Sequence, residues 1–186
     1  VAANVTRTPN AEFLATPDNI AASEAVCKLP EVAAAVCSTF MAPVIEAMKA
    51  APSGSYVLPT GAPRIEVEVP HRVLASPRRV AVMIDRSCGS SCEEFVLVVR
   101  QSFKVKTFGR PTAGSLDYSN LRPHDLPAGK RRIFYATSRS LRLPSNPIDA
   151  SGIGPDQLLP IPESEAAFAA EVETVRGVLE GRDPFR

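Results

Sequence analysis

Between Ile84 and Phe95 the chain reads IDRSCGSSCEEF, and two residue types in it could attack a carbonyl. A serine does so when a base takes its proton and nearby N–H groups hold the oxyanion. Ser90 and Ser91 are placed for that, because the segment joins an apolar run to a helical pattern. The same spacing has a plainer reading. Ser90 with Glu93, and Ser91 with Glu94, fit the capping box S-x-x-E, worth about 1 kcal/mol and needing no function. The G-x-S-x-G elbow is absent: Gly89 directly precedes Ser90, and Cys92 stands where the second glycine would be, which argues against an α/β-hydrolase. Cys92 could itself be a nucleophile, but no histidine motif accompanies it. Cys88 and Cys92 therefore read as buried free cysteines packing on the helix. His71 and His124 read as loop residues, and Asp117, Asp149 and Asp156 as turn carboxylates. Four cysteines without a C-x2-C pair do not suggest a zinc site.

The elements that must position this segment follow from periodicity. Residues 78–85, RRVAVMID, form a continuous apolar run of strand length, as in a central strand buried on both faces. Residues 93–102 have helical length, and 104–109 alternate and end at Gly109. Strand, helix and strand in about thirty residues make a βαβ unit. Open α/β sheets place ligands at the carboxyl ends of such strands. Elsewhere, 18–28 predicts a helix capped by Asp18, and 31–50 a second helix with Pro43 as a kink or break. Residues 64–69 alternate like an edge strand. RPTAG is a turn, RPHDLP a loop, 131–143 a long β-rich stretch and PSNPIDASGIGPD a loop. Residues 163–181 predict an amphipathic helix stopped by Gly181. The class is α/β with a mixed sheet.

Composition narrows the function classes. A net charge of +1 gives no overall pull toward nucleic acid or an anionic membrane. No apolar run approaches the roughly 18–20 residues that span a bilayer. The opening VAANVTRTPN reads as the start of a mature secreted chain or the remainder of a longer one. Cys27 and Cys37 lie close in the helical third and could be bridged in an oxidising compartment.

Taken in order, these pieces resemble the tail-specific, or C-terminal processing, serine peptidases. The resemblance rests on the strand and S-x-x-E turn at Ser90–Glu93, on the G-x-P-T-x-G turn of Gly109, Pro111, Thr112 and Gly114, and on the closing G-x-x-P-D loop of Gly152, Pro155 and Asp156. It implies a ClpP/crotonase-like α/β fold, a mixed sheet with flanking helices. The chain 1–186 would be a single domain, the C-terminal part of the catalytic domain: a helical segment at 10–52, a nucleophile-bearing core at 64–160 and a C-terminal helix at 163–181. Carried over, Ser90 is the nucleophile and Ser91 gives an oxyanion N–H. Gly89, Thr112, Gly114 and Ser115 fall in the substrate-binding loops. The branch with a Ser–Lys dyad has lysine where this chain has Ser115, so the pattern resembles the tricorn-core branch instead. There an acidic residue seven positions before the closing aspartate orients a histidine base. Asp149 stands seven before Asp156. The histidine would come from an upstream segment absent here. The resemblance implies a peptide or protein substrate, no cofactor, no metal and no nucleic acid, and an exported, periplasmic or cell-surface location. A non-catalytic binding module on the same fold, or an acyl-CoA enzyme of the crotonase type, would share the architecture.

Overall fold

A computed structural model describes residues 5–7, 11–68 and 74–182. They fall into two compact units. The first takes residues up to Arg7, Val67–Leu116 and Ile148 onward; the second takes Thr8–Glu66 and Asp117–Pro147. The 64–160 stretch read as one core from the sequence contributes to both.

The first unit is built on a parallel sheet. Strand β5 (Val80–Ile84) pairs with β6 (Val105–Gly109), Val80 opposite Val105 and Ile84 opposite Gly109. β6 pairs with the short β9 (Gln157–Leu158). Helix α4 (Ser91–Val99) links β5 to β6, completing the predicted βαβ unit. The period of two explains the unbroken apolar run of β5. Val82 and Ile84 pack with Val96 and Leu97 of α4, whereas Ala81 and Met83 pack with Phe108 and with Val175 and Val178 of helix α5 (Glu165–Glu180). The strand is thus covered on both faces, but among the described residues it is an edge strand and not the central one expected: β6 is central. α5 starts at its Ser164 cap and stops at Gly181, whose φ of 79° suits glycine. Strands β1 (Val5–Arg7) and β4 (Glu66–Glu68) form a two-stranded sheet; β4 lies within the alternating segment, whose residue 69 is outside the described residues.

The second unit carries an antiparallel sheet of order β3-β2-β8-β7, from β2 (Ala11–Leu14), β3 (Tyr56–Val57), β7 (Tyr118–Asp125) and β8 (Arg132–Ser140). Helix α1 (Pro17–Val26) is capped by Thr16, not Asp18, because the Thr16 hydroxyl accepts the Asn19 N–H at 3.2 Å. The predicted 31–50 helix is divided into α2 (Ala34–Val36), a π-helical segment Cys37–Met41, and α3 (Ala42–Ala50). Pro43 lies in the first turn of α3, directly after the π-helical segment, so the helical backbone bends its hydrogen-bond pattern there without ending. Ala15, Val44 and Met48 form the core of this unit. A Cys27–Cys37 disulfide ties the end of α1 to the π segment.

Candidate functional site

β5 ends at Ile84, and the chain turns through a tight loop before α4. Asp85 accepts the Ser87 N–H at 2.8 Å and its hydroxyl at 2.5 Å. These bonds hold the Asp85 carboxyl below its ordinary range. Ser90 is exposed and lies at φ 54°, ψ −117° as the N-cap of α4. A non-glycine residue there costs about 1–3 kcal/mol, and such residues cluster at functional sites. Ser91 is therefore the first helical residue and not the cap. Its N–H is one of the helix's opening donors, which lack an intrahelical acceptor.

Glu93 helps to hold Ser90 in that backbone. Its side chain is fully buried. One carboxylate oxygen accepts the Thr112 hydroxyl at 2.5 Å and the Gly114 N–H at 2.8 Å. The other accepts Ser115 N–H at 3.0 Å and Ser90 N–H at 3.1 Å. Burial alone would raise the Glu93 pKa, but these four bonds more than offset it and the net shift is downward. The capping box seen in the sequence is thus part of a wider cradle.

Three stretches of chain are knitted together around it. Ala113 N–H donates to the Cys88 carbonyl at 2.8 Å, and Arg110 N–H to that of Ile84 at 2.9 Å. Gly89 lies so close to the next loop that a Cβ there would meet Ser115 Oγ at 2.8 Å. On the other side, Thr112 Oγ1 accepts Ile153 N–H at 2.7 Å, and Ala150 N–H donates to the Gly114 carbonyl at 3.0 Å. Asp149 accepts Leu116 N–H at 2.6 Å. Asp156 has a separate task. Its carboxylate accepts the Thr107 N–H and hydroxyl, both at 2.8 Å, and pairs with Arg100 at 2.9 Å. Gly89, Ser90, Ser91, Thr112, Gly114, Ser115 and Asp149 all belong to this one unit.

Two expectations need correction. Cys88 and Cys92 are not free thiols: they form a disulfide across Ser90, with Cα atoms 5.2 Å apart. One turn of chain separates them, so the sequence spacing permits the bridge. His124 is not in a loop. It is an exposed residue of β7, opposite Ile133, in the second unit. His71 lies outside the described residues. The S-x-x-E spacing of Glu93 signals a cap; only its contacts with the P-T-x-G turn, which the sequence does not reveal, distinguish a cradle from a cap.

No protein-family model matches the chain, and no curated protein does. Solved structures do. CPAF complexed with lactacystin matches with a TM-score of 0.59 at 17% identity, over 98% of this chain and 40% of its own. Mature CPAF matches at 0.56 and 16%, over 96% and 38%. The chain has the fold of CPAF. It spans about 40% of the CPAF chain's length. A photosystem II D1 C-terminal processing protease overlays at only 0.33, over 45% of this chain and 21% of its own at 22% identity, too loosely to bear on the fold. Within the CPAF-like fold, a cavity of about 490 Å³ opens beside the Ser90 loop, lined by Asp85, Arg86, Ser87, Arg110, Pro111 and Phe168. Arg110 is held there by two bonds to Glu171, at 2.7 and 2.8 Å.

Proposed function

We propose that this chain carries the nucleophile and oxyanion portion of a serine peptidase. The observation that carries the reading is the exposed Ser90 at φ 54°, at the amino end of a helix that follows a parallel strand. In this mechanism Ser90 Oγ attacks the substrate carbonyl and forms an acyl-enzyme, which water then hydrolyses. The Ser91 N–H stabilises the tetrahedral oxyanion, aided by the helix dipole. Gly89, Gly114 and Ser115 shape the wall along which the peptide lies, whereas Thr112, expected beside them, is fully buried and acts from behind through Glu93; the cavity beside Asp85–Ser87 receives a side chain. Asp149 orients a histidine base supplied by a segment of the protein outside this chain. The tricorn-core-like arrangement, and an exported, periplasmic or cell-surface location, belong to the same proposal. Two disulfides support the location.

A second reading has one observation in its favour. Where the Ser–Lys branch carries its general base, this chain has Ser115, whose hydroxyl faces Gly89. A non-catalytic peptide- or ligand-binding module would need no base. One experiment separates the readings. The full-length protein is treated with a fluorophosphonate probe and assayed on a casein-type substrate. The peptidase reading expects Ser90 to label, and Ser90→Ala to abolish both labelling and turnover while leaving the circular dichroism unchanged. Unchanged turnover by Ser90→Ala sinks it. A folded wild type that neither labels nor cleaves favours the binding module.

A further inference from the structure

The disulfide between Cys88 and Cys92 encloses Gly89, Ser90 and Ser91 in a ring of five residues. Its two ends differ. Cys88 is buried and packs with Ile84, Val96, Ile148 and Ile153 in the core of the first unit. Cys92 is exposed, at the second position of α4. The bridge therefore ties a core-anchored residue to the helix amino end, across the one serine whose backbone sits at positive φ in this loop. A strained conformation persists only where its surroundings over-determine it. Two devices do so here: the Glu93 carboxylate on the Ser90 N–H, and the disulfide. Only the second responds to a reductant, and its Cys92 end belongs to an exposed residue.

We propose that Cys88–Cys92 is a thiol–disulfide exchange site that governs Ser90, with a dithiol reductant as its co-reactant. This rests on the reading of Ser90 as a nucleophile. One thiolate of the reductant attacks Cys92 Sγ, the S–S bond breaks, and Cys88 departs as a thiolate that takes up a proton. The second thiol of the reductant then displaces Cys92, which is released as a thiol while the reductant closes its own disulfide. Two electrons pass from the dithiol to the protein. With the ring open, the Gly89–Ser91 backbone relaxes from its strained form and the attacking geometry is lost. The Glu93 bonds to Thr112, Gly114 and Ser115 and the core around Val96 persist, so the unit stays folded. The chain is then reactive in an oxidising compartment and silent in a reducing one.

The test compares the oxidised protein with the same protein after dithiothreitol, reading the fluorophosphonate labelling rate of Ser90 and hydrogen exchange over residues 85–94. Reduction should slow labelling at least tenfold and raise exchange, both reversing on reoxidation. A Cys27→Ala/Cys37→Ala variant should respond like wild type. A Cys88→Ala/Cys92→Ala variant should label at the reduced rate and ignore dithiothreitol. Equal labelling and exchange in the two states overturns the proposal, as does a response that survives in Cys88→Ala/Cys92→Ala. Exchange that rises in a protein unlabelled in either state upholds the opening and instead overturns Ser90 as the nucleophile.

Discussion

Glu93 shows most clearly what one side chain does here. A carboxylate without solvent contact is costly unless its lone pairs are met, and four donors from two loops meet them. Glu93→Gln offers one carbonyl oxygen and an amide donor to a ring of donors, so at least two bonds are lost. A loss of about 2–4 kcal/mol is expected in urea denaturation, with lower Ser90 labelling. The pH dependence has a definite sign. The folded pKa lies below its ordinary 4.5, so the unfolded chain binds the proton first as pH falls. The contribution is complete above the unfolded value and is lost as pH drops through the folded one. Between pH 7 and pH 3 the urea midpoint of wild type should therefore fall more steeply than that of Glu93→Gln. Parallel curves would show that Glu93 does not titrate in this way. At this scale the sequence was half legible: serine and glutamate at the right spacing stood out, but the donors on Thr112, Gly114 and Ser115 lie about twenty residues away and need the fold to bring them close.

The packing of β5 against β6 depends on a residue with no side chain. Gly109 has φ 117°, and a Cβ there would lie 2.2 Å from the Ile84 carbonyl oxygen. Gly109→Ala must push the two strand ends apart, exactly where the Ser90 loop departs from one and the P-T-x-G turn from the other. A loss above about 2 kcal/mol in chemical denaturation is expected. Gly54→Ala is the control. It shares a positive φ of 90° but has nothing within 4 Å, so its cost should stay near 1 kcal/mol. If the two alanine variants lose the same stability, the close strand approach is not what Gly109 provides. The βαβ unit was readable because its apolar period matches its burial. β7 was not, since YSNLRPHD is polar and contains Pro123. It is an edge strand held by pairing with β8, where a proline without an N–H is tolerated. The π-helical turn at Cys37–Met41 likewise leaves no signal in helical periodicity.

Across the molecule, all four cysteines are paired, so thiol titration of the unreduced, denatured protein should return none and reduction should expose four. Any free thiol before reduction contradicts the pairing. The bridge from Cys27 to Cys37 closes a short loop within the second unit, and Cys27→Ser/Cys37→Ser should cost about 2–4 kcal/mol. Hydrogen exchange should locate that loss in residues 11–66 and 117–147. The sequence conveyed the α/β class and the order of motifs at this scale. The division into two units was not legible, because each is assembled from stretches far apart in the chain. The cradle around Glu93 also bears on how the protein is made. A ribosome delivers Ser90 and Glu93 before the residues at 112–115 that fix their loop. During synthesis the Ser90 loop is present before most of the donors to Glu93, and the cradle closes only when β6 has docked and the following turn has formed. The order of the chain therefore leaves the Glu93 carboxylate without three of its four donors until the residues through Ser115 have emerged.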